Sequence, residues 1–153
     1  LLMIQAEEKI RGNQINTAKG LYAKVIELKP GLLDPYMGLT KLLVAEEKFS
    51  QAAELLSGAV EKVDDKQPML EKLAELQMQS GKPQKAREIM GKILEVNPND
   101  TGVKARFAVL LKGLGIYDES ARYFGALETA GALKPEQAMV ALVPEVPNPN
   151  DRR

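Results

Sequence analysis

The sequence contains neither cysteine nor histidine. Without cysteine there is no disulfide framework, thiol nucleophile or thiolate metal site. Without histidine the commonest general base and the commonest metal ligand are missing as well. Neither sign of charge is in excess, because 21 Lys and Arg balance 21 Asp and Glu, so no bulk attraction to nucleic acid or to an anionic membrane is expected. No apolar run approaches the ~18 residues that span a bilayer. The stretch Leu1-Leu2-Met3-Ile4 is too short for a signal-peptide core and runs straight into charged helical sequence. Only four serines are present, at 50, 57, 80 and 120, all in framework or turn positions. Gly113-Leu114-Gly115 closes a helix and does not open one after a strand, so it is no phosphate cradle. These absences leave no catalytic set, no cofactor site and no metal site, and an enzyme is not expected. A cysteine-free chain fits the cytoplasm. The periplasm stays open, since the sequence begins inside what reads as a helix, without an initiating Met, as a fragment of a longer protein would.

What is present is a period. Ala18, Ala52, Ala86 and Ser120 stand 34 residues apart, each followed four positions later by a bulky residue, Tyr22, Leu56, Met90 or Phe124. A second column, Asn13, Glu47, Gly81 and Gly115, supplies residues that tolerate the left-handed conformation ending a helix, with Glu47 the exception and the least typical turn expected there. A third, Pro30, Asp64, Pro98 and Ala132, marks the stop between units, clear at the prolines and degraded at the end. Between these marks apolar residues fall at steps of three and four, as in Tyr36, Leu39, Leu42, Leu43 and in Ala86, Ile89, Met90, Ile93. The pattern predicts helices over 1–12, 15–28, 34–46, 49–63, 67–80, 83–96, 100–113 and 117–130. A ninth is expected from Pro135. A fixed period of this size marks a stacked-repeat protein. Small residues such as Ala52 and Ala86 let two helices approach closely, and Met90 is expected to be buried.

In these columns the chain resembles the tetratricopeptide repeat family. Ala6, Thr40, Ala74 and Ala108 occupy the family's small eighth position, the Ala18 column its twentieth, Val25, Ala59, Ile93 and Leu127 its twenty-seventh, and Pro30 and Pro98 its thirty-second. Departures are the missing Trp at the fourth position, Lys104 there in the last repeat, and Lys9 and Gln77 in place of a bulky eleventh residue; they imply looser first and fourth repeats. The resemblance implies an all-α, right-handed superhelical solenoid of antiparallel helix hairpins. It divides into repeats at about 1–32, 33–66, 67–100 and 101–132, followed by a capping helix over 133–143. A Pro-rich tail over 144–153 is expected to be flexible.

The resemblance further implies that the first helix of each hairpin lines a concave groove. Carried over residue by residue, the groove would offer Met37, Lys41, Val44, Lys72, Glu75, Met78, Arg106 and Val109 to a partner. Met3 and Ile10 would extend its apolar floor, and Gly38 and Ala105 would also face it. Met suits adaptable contact with apolar side chains. The clamp of Lys, Asn, Asn, Lys and Arg that grips C-terminal carboxylates in some members is not reproduced. Its positions hold Met3, Glu7, Gly38, Pro68 and Lys72, or Met37, Lys41, Lys72, Gly102 and Arg106. Glu71 and Glu75 read as a solvated face beside Lys72, and Asp64-Asp65 as a stand-in for the missing Pro that also helps start the next helix. The expected function is a non-catalytic protein–protein interaction scaffold that binds a peptide or helix of another protein. The alternative is an oligomerisation or spacer module of a larger signalling or assembly protein, forming a homo-oligomer.

Overall fold

The chain reverses direction where the Asn, Glu and Gly column falls. A computed structural model describes residues 1–132, and regular structure among the described residues is entirely helical. In order the helices are α1 (Leu2–Arg11), α2 (Ile15–Leu28), α3 (Leu33–Ala45), α4 (Phe49–Ala59), α5 (Gln67–Gln79), α6 (Pro83–Val96), α7 (Thr101–Gly113) and α8 (Tyr117–Thr129). The expected capping helix and Pro-rich tail lie outside the described residues.

The turn closing each odd-numbered helix is the same. Asn13, Glu47, Gly81 and Gly115 have φ of 57°, 58°, 70° and 77°. Their N–H groups donate to the carbonyls of Ile10, Val44, Met78 and Lys112 at 2.9–3.0 Å. The next N–H groups, of Gln14, Lys48, Lys82 and Ile116, donate to the carbonyls of Lys9, Leu43, Gln77 and Leu111. This paired closure satisfies carbonyls that a helix end leaves open. The expectation of an atypical turn at Glu47 is therefore corrected. Its hydrogen bonds hold a glutamate left-handed, at a cost of roughly 1–2 kcal/mol for a residue with a Cβ.

Helix limits agree with the sequence reading to within a residue or two, except after Phe49. There α4 stops at Ala59, four residues early, and Val63 beyond it turns into the core at 3% exposure beside fully buried Met69. Asp64-Asp65 does not start the next helix. The cap position of α5 is Lys66 with no side-chain cap bond, and Pro68 sits in the first turn, its fixed φ already suited to a helix. By contrast Asp100 caps α7, its Oδ1 accepting from the Val103 N–H at 2.9 Å.

The chain divides into two compact units, Leu1–Ile93 and one beginning at Leu94. In the first, Ala18, Ala52 and Ala86 are completely buried, as close helix approach demands. One cluster joins Ala6, Ala18, Tyr22 and Leu42. A larger one joins Tyr36 of α3, Ala52 and Leu56 of α4, and Met69, Leu73 and Leu76 of α5. The Tyr36 hydroxyl donates to the Pro30 carbonyl at 2.9 Å, tying α3 to the stop that precedes it. Gly38 answers a contact with α2: a Cβ there would stand 2.6 and 2.7 Å from ring carbons Cζ and Cε1 of Tyr22. Tyr22 is itself buried, and desolvation, with the Glu7 carboxylate as a lesser cause, pushes its hydroxyl pKa up. Gly38 is thus a packing residue, and the ring of Tyr22 occupies the space a groove side chain would fill.

Met90 departs from expectation. It is half-buried, because the inward face of α6 runs through Ala86, Ile89 and Ile93 at steps of three and four and leaves Met90 at its edge. In the second unit the expected looseness of the last hairpin is also corrected. Val103, Phe107, Ala108, Leu110 and Leu111 of α7 are all buried. Phe107 meets Tyr123 edge-to-face at 5.1 Å. The Ser120 hydroxyl donates to the Ala108 carbonyl at 2.7 Å, so the polar member of the small column hydrogen-bonds across the hairpin.

Candidate protein-interaction surface

In the first unit the candidate residues come from α3 and α5. Met37, Lys41 and Val44 follow one another at steps of four and three along α3, which puts them on one face. Lys72, Glu75 and Met78 do the same along α5 at steps of three. Both helices are anchored by the larger core cluster through Tyr36, Leu73 and Leu76, so their outer faces stand on a rigid base. Lys41 and Glu75 are exposed, Met37, Val44 and Lys72 half-buried. Met78 is 43% exposed, large for an apolar side chain on a well-packed helix.

The apolar floor is narrower than the sequence implied. Val44 packs against the larger cluster, and Met3 and Ile10 pack against the cluster around Tyr22. Met37 and Met78 remain as the adaptable contacts. Charge is narrower too. Lys72 Nζ lies 2.9 Å from Glu75 Oε2, and Gln67 donates to Glu71 Oε1 at 2.9 Å, so α5 offers an ion pair where the sequence offered a cation. Exposed pairs of this kind contribute about 0–1 kcal/mol and exchange partners readily.

Arg106 and Val109 lie in the second unit, both exposed on α7, with Val109 at 45%. Ala105 beside them is only 4% exposed and is not part of an open face. A group the sequence reading missed is Glu46, at the end of α3. It pairs with Lys19 of α2 and, at 2.7 Å, with Lys48. The Lys19 hydrogen bond, followed by that of Lys48, holds its carboxyl below the ordinary value. No sequence signal marks the pairing across helices, because Lys19 is 27 residues away from Glu46. Among the described residues no group of acidic side chains has the arrangement of a metal site, and no helix is long and apolar enough to cross a membrane.

Comparisons with known proteins agree with this architecture. Residues 43–105 match the family model described as tetratricopeptide repeat. No curated protein matches the sequence. Among solved structures, the chain is similar to YrrB, described as a TPR protein with an unusual peptide-binding site. The identity is 21%, the TM-score 0.70, and the match covers 92% of this chain and 72% of that one. MamA is similar at 21% identity and TM-score 0.68, over 85% of this chain and 77% of its own. A thermophilic TPR protein of Thermus thermophilus is similar at 19% identity and TM-score 0.63, over 92% of this chain and 77% of its own. At these identities the structures speak for the fold, an all-α helical repeat whose exposed helix faces suit a protein-interaction scaffold. Over residues 43–105 the chain carries the tetratricopeptide repeat pattern, and its fold is that of the solved TPR structures.

Proposed function

We propose that this protein is a non-catalytic scaffold that holds a peptide or helix of a partner protein against the outer face of α3 and α5. We read its sequence as four repeats of about 34 residues. The observation that carries the reading is Met78. It is a flexible apolar side chain, 43% exposed, on a helix whose opposite side is locked into the core, with the Lys72–Glu75 pair on the same helix face, and we read Met37 of α3 as its apolar counterpart. Apolar anchors dominate the free energy of such contacts, while exposed charges set on-rate and salt dependence. Arg106 and Val109 offer the same combination on α7.

Peptides selected on the wild-type protein from a random library test this. Met78→Glu should abolish their binding with an unchanged helical circular dichroism spectrum. Lys41→Glu should weaken acidic peptides several-fold at low salt and less at high salt. Selected peptides that bind Met78→Glu as they bind the wild type would exclude this face.

The oligomerisation or spacer reading draws on a different observation. Leu28 is 66% and Leu32 44% exposed, and they share an apolar cleft of about 270 Å³ with Leu1, Leu2, Met3 and Val25. A self-associating protein that becomes monomeric on Leu28→Glu in sedimentation equilibrium, with peptide binding untouched, would favour it.

A further inference from the structure

A second concavity opens on the other side of α5. It has a volume of about 350 Å³ and lies among the end of α4, α5 and α6, walled by Val60, Leu70, Leu73 and Ile89, with Gln77 also lining it. Gln77 and Leu73 project about 100–160° around α5 from Lys72, Glu75 and Met78 at 3.6 residues per turn, so this cleft opens on a different side of α5 from the α3–α5 face. Gln77 stands in the column that holds Leu43 and Leu111 in the second and fourth repeats. It is only 8% exposed, yet its side-chain Oε1 has no hydrogen-bond partner. An orphaned amide oxygen at a buried position is costly to the fold, and a leucine in the same column would remove that cost. The rim carries Lys66, Lys85 and Lys92 against Glu61 and Glu88, one cation in excess. Lys66 is committed to Glu61 at 2.6 Å, which leaves Lys85 and Lys92 beside the single carboxylate of Glu88 on the α6 side.

We infer that this cleft is a docking site for a single tryptophan side chain on an acidic segment of a partner protein. The volume lies at the small end of the range for ligand pockets, enough for one large ring and too little for most cofactors. Val60, Leu70, Leu73 and Ile89 offer the ring faces an apolar contact within a lining that is otherwise polar or charged. The orphaned acceptor calls for a ligand with a donor hydrogen, and the indole carries one N–H and no acceptor. The excess of lysine on the rim favours carboxylates on the flanking residues and stacks well on an indole face.

The protein contains no tryptophan, so a probe's indole fluorescence reports binding without background. The probes are blocked acidic pentapeptides with one central Trp or Phe, and a basic counterpart of the Trp peptide. The Trp peptide should blue-shift on titration and bind on the order of tenfold more tightly than the Phe peptide followed by calorimetry, the scale of one satisfied buried hydrogen bond. Gln77→Leu should erase that preference. Lys85→Glu with Lys92→Glu, both at exposed positions, should weaken the acidic Trp peptide several-fold and help the basic one. Amide chemical shifts in the wild-type protein provide a readout that needs no variant to fold. Shifts at Leu70, Gln77 and Ile89 with none at Lys41 or Met78 support the site. No blue shift up to the peptide's solubility, shifts confined to the Met78 face, or an unchanged Trp preference in folded Gln77→Leu would each overturn it. Met78→Glu leaves this binding intact, so the two surfaces succeed or fail separately.

Discussion

Glu47 adopts φ of 58° where the other members of its column are Asn or Gly. The column therefore reveals which position must be left-handed, and the identity of the residue reveals only how much strain it carries. Glu47→Gly should raise the stability of the protein by about 0.5–1 kcal/mol in urea unfolding, strain relief minus the extra freedom of glycine in the unfolded chain. No gain would mean that neighbouring contacts of the Glu47 side chain offset the strain. Thr40 is a second residue where type and environment disagree. It takes the place of alanine in its column, is completely buried, and its hydroxyl has no partner. Column and helical spacing made both positions legible, but the missing partner was visible only with the surrounding atoms in place.

At the scale of elements, the helices follow from period and punctuation, while the links between them do not. α2 and α3 are joined by the Gly38–Tyr22 approach and by the Lys19–Glu46 pair. The Glu46 carboxyl titrates below its ordinary value of 4.5, chiefly because Lys19 hydrogen-bonds its charged form. A lowered folded pKa gives a stabilisation that is fully present above the unfolded value and is lost as pH falls through the folded one. Glu46→Gln should therefore lower the urea midpoint at pH 7, and the deficit should shrink as pH falls below 4.5. A deficit that stays constant across that range would assign the effect to packing. The early end of α4 belongs to this scale too. Helical periodicity continues past Ala59, but burying Val63 beside Met69 requires the chain to leave the helix first.

For the molecule as a whole, stability depends on which bulky residues the repeats enclose. Leu76 and Leu56 are completely buried in the first unit, whereas Met90 is half-buried. Leu76→Ala should cost about 2–5 kcal/mol, as fully buried large-to-small changes do. Met90→Ala should cost distinctly less, because part of its surface is already wet. Equal losses in urea unfolding would show that Met90 is enclosed in solution. The candidate interaction residues divide in the same way. Spacing alone put Met37 with Lys41 and Lys72 with Met78, because residues three and four apart share a helix face. Spacing did not reveal that Val44, Met3 and Ile10 lean into the core, that Lys72 is held by Glu75, or that Gln77 borders a cleft. The all-helical repeat, its turns and its small-residue contacts were determined by the sequence itself, since they rest on local conformational preference and on a period repeated four times. Which side chains remain open to a partner was decided only by the tertiary structure, because exposure and pairing depend on residues from neighbouring helices far apart in the chain.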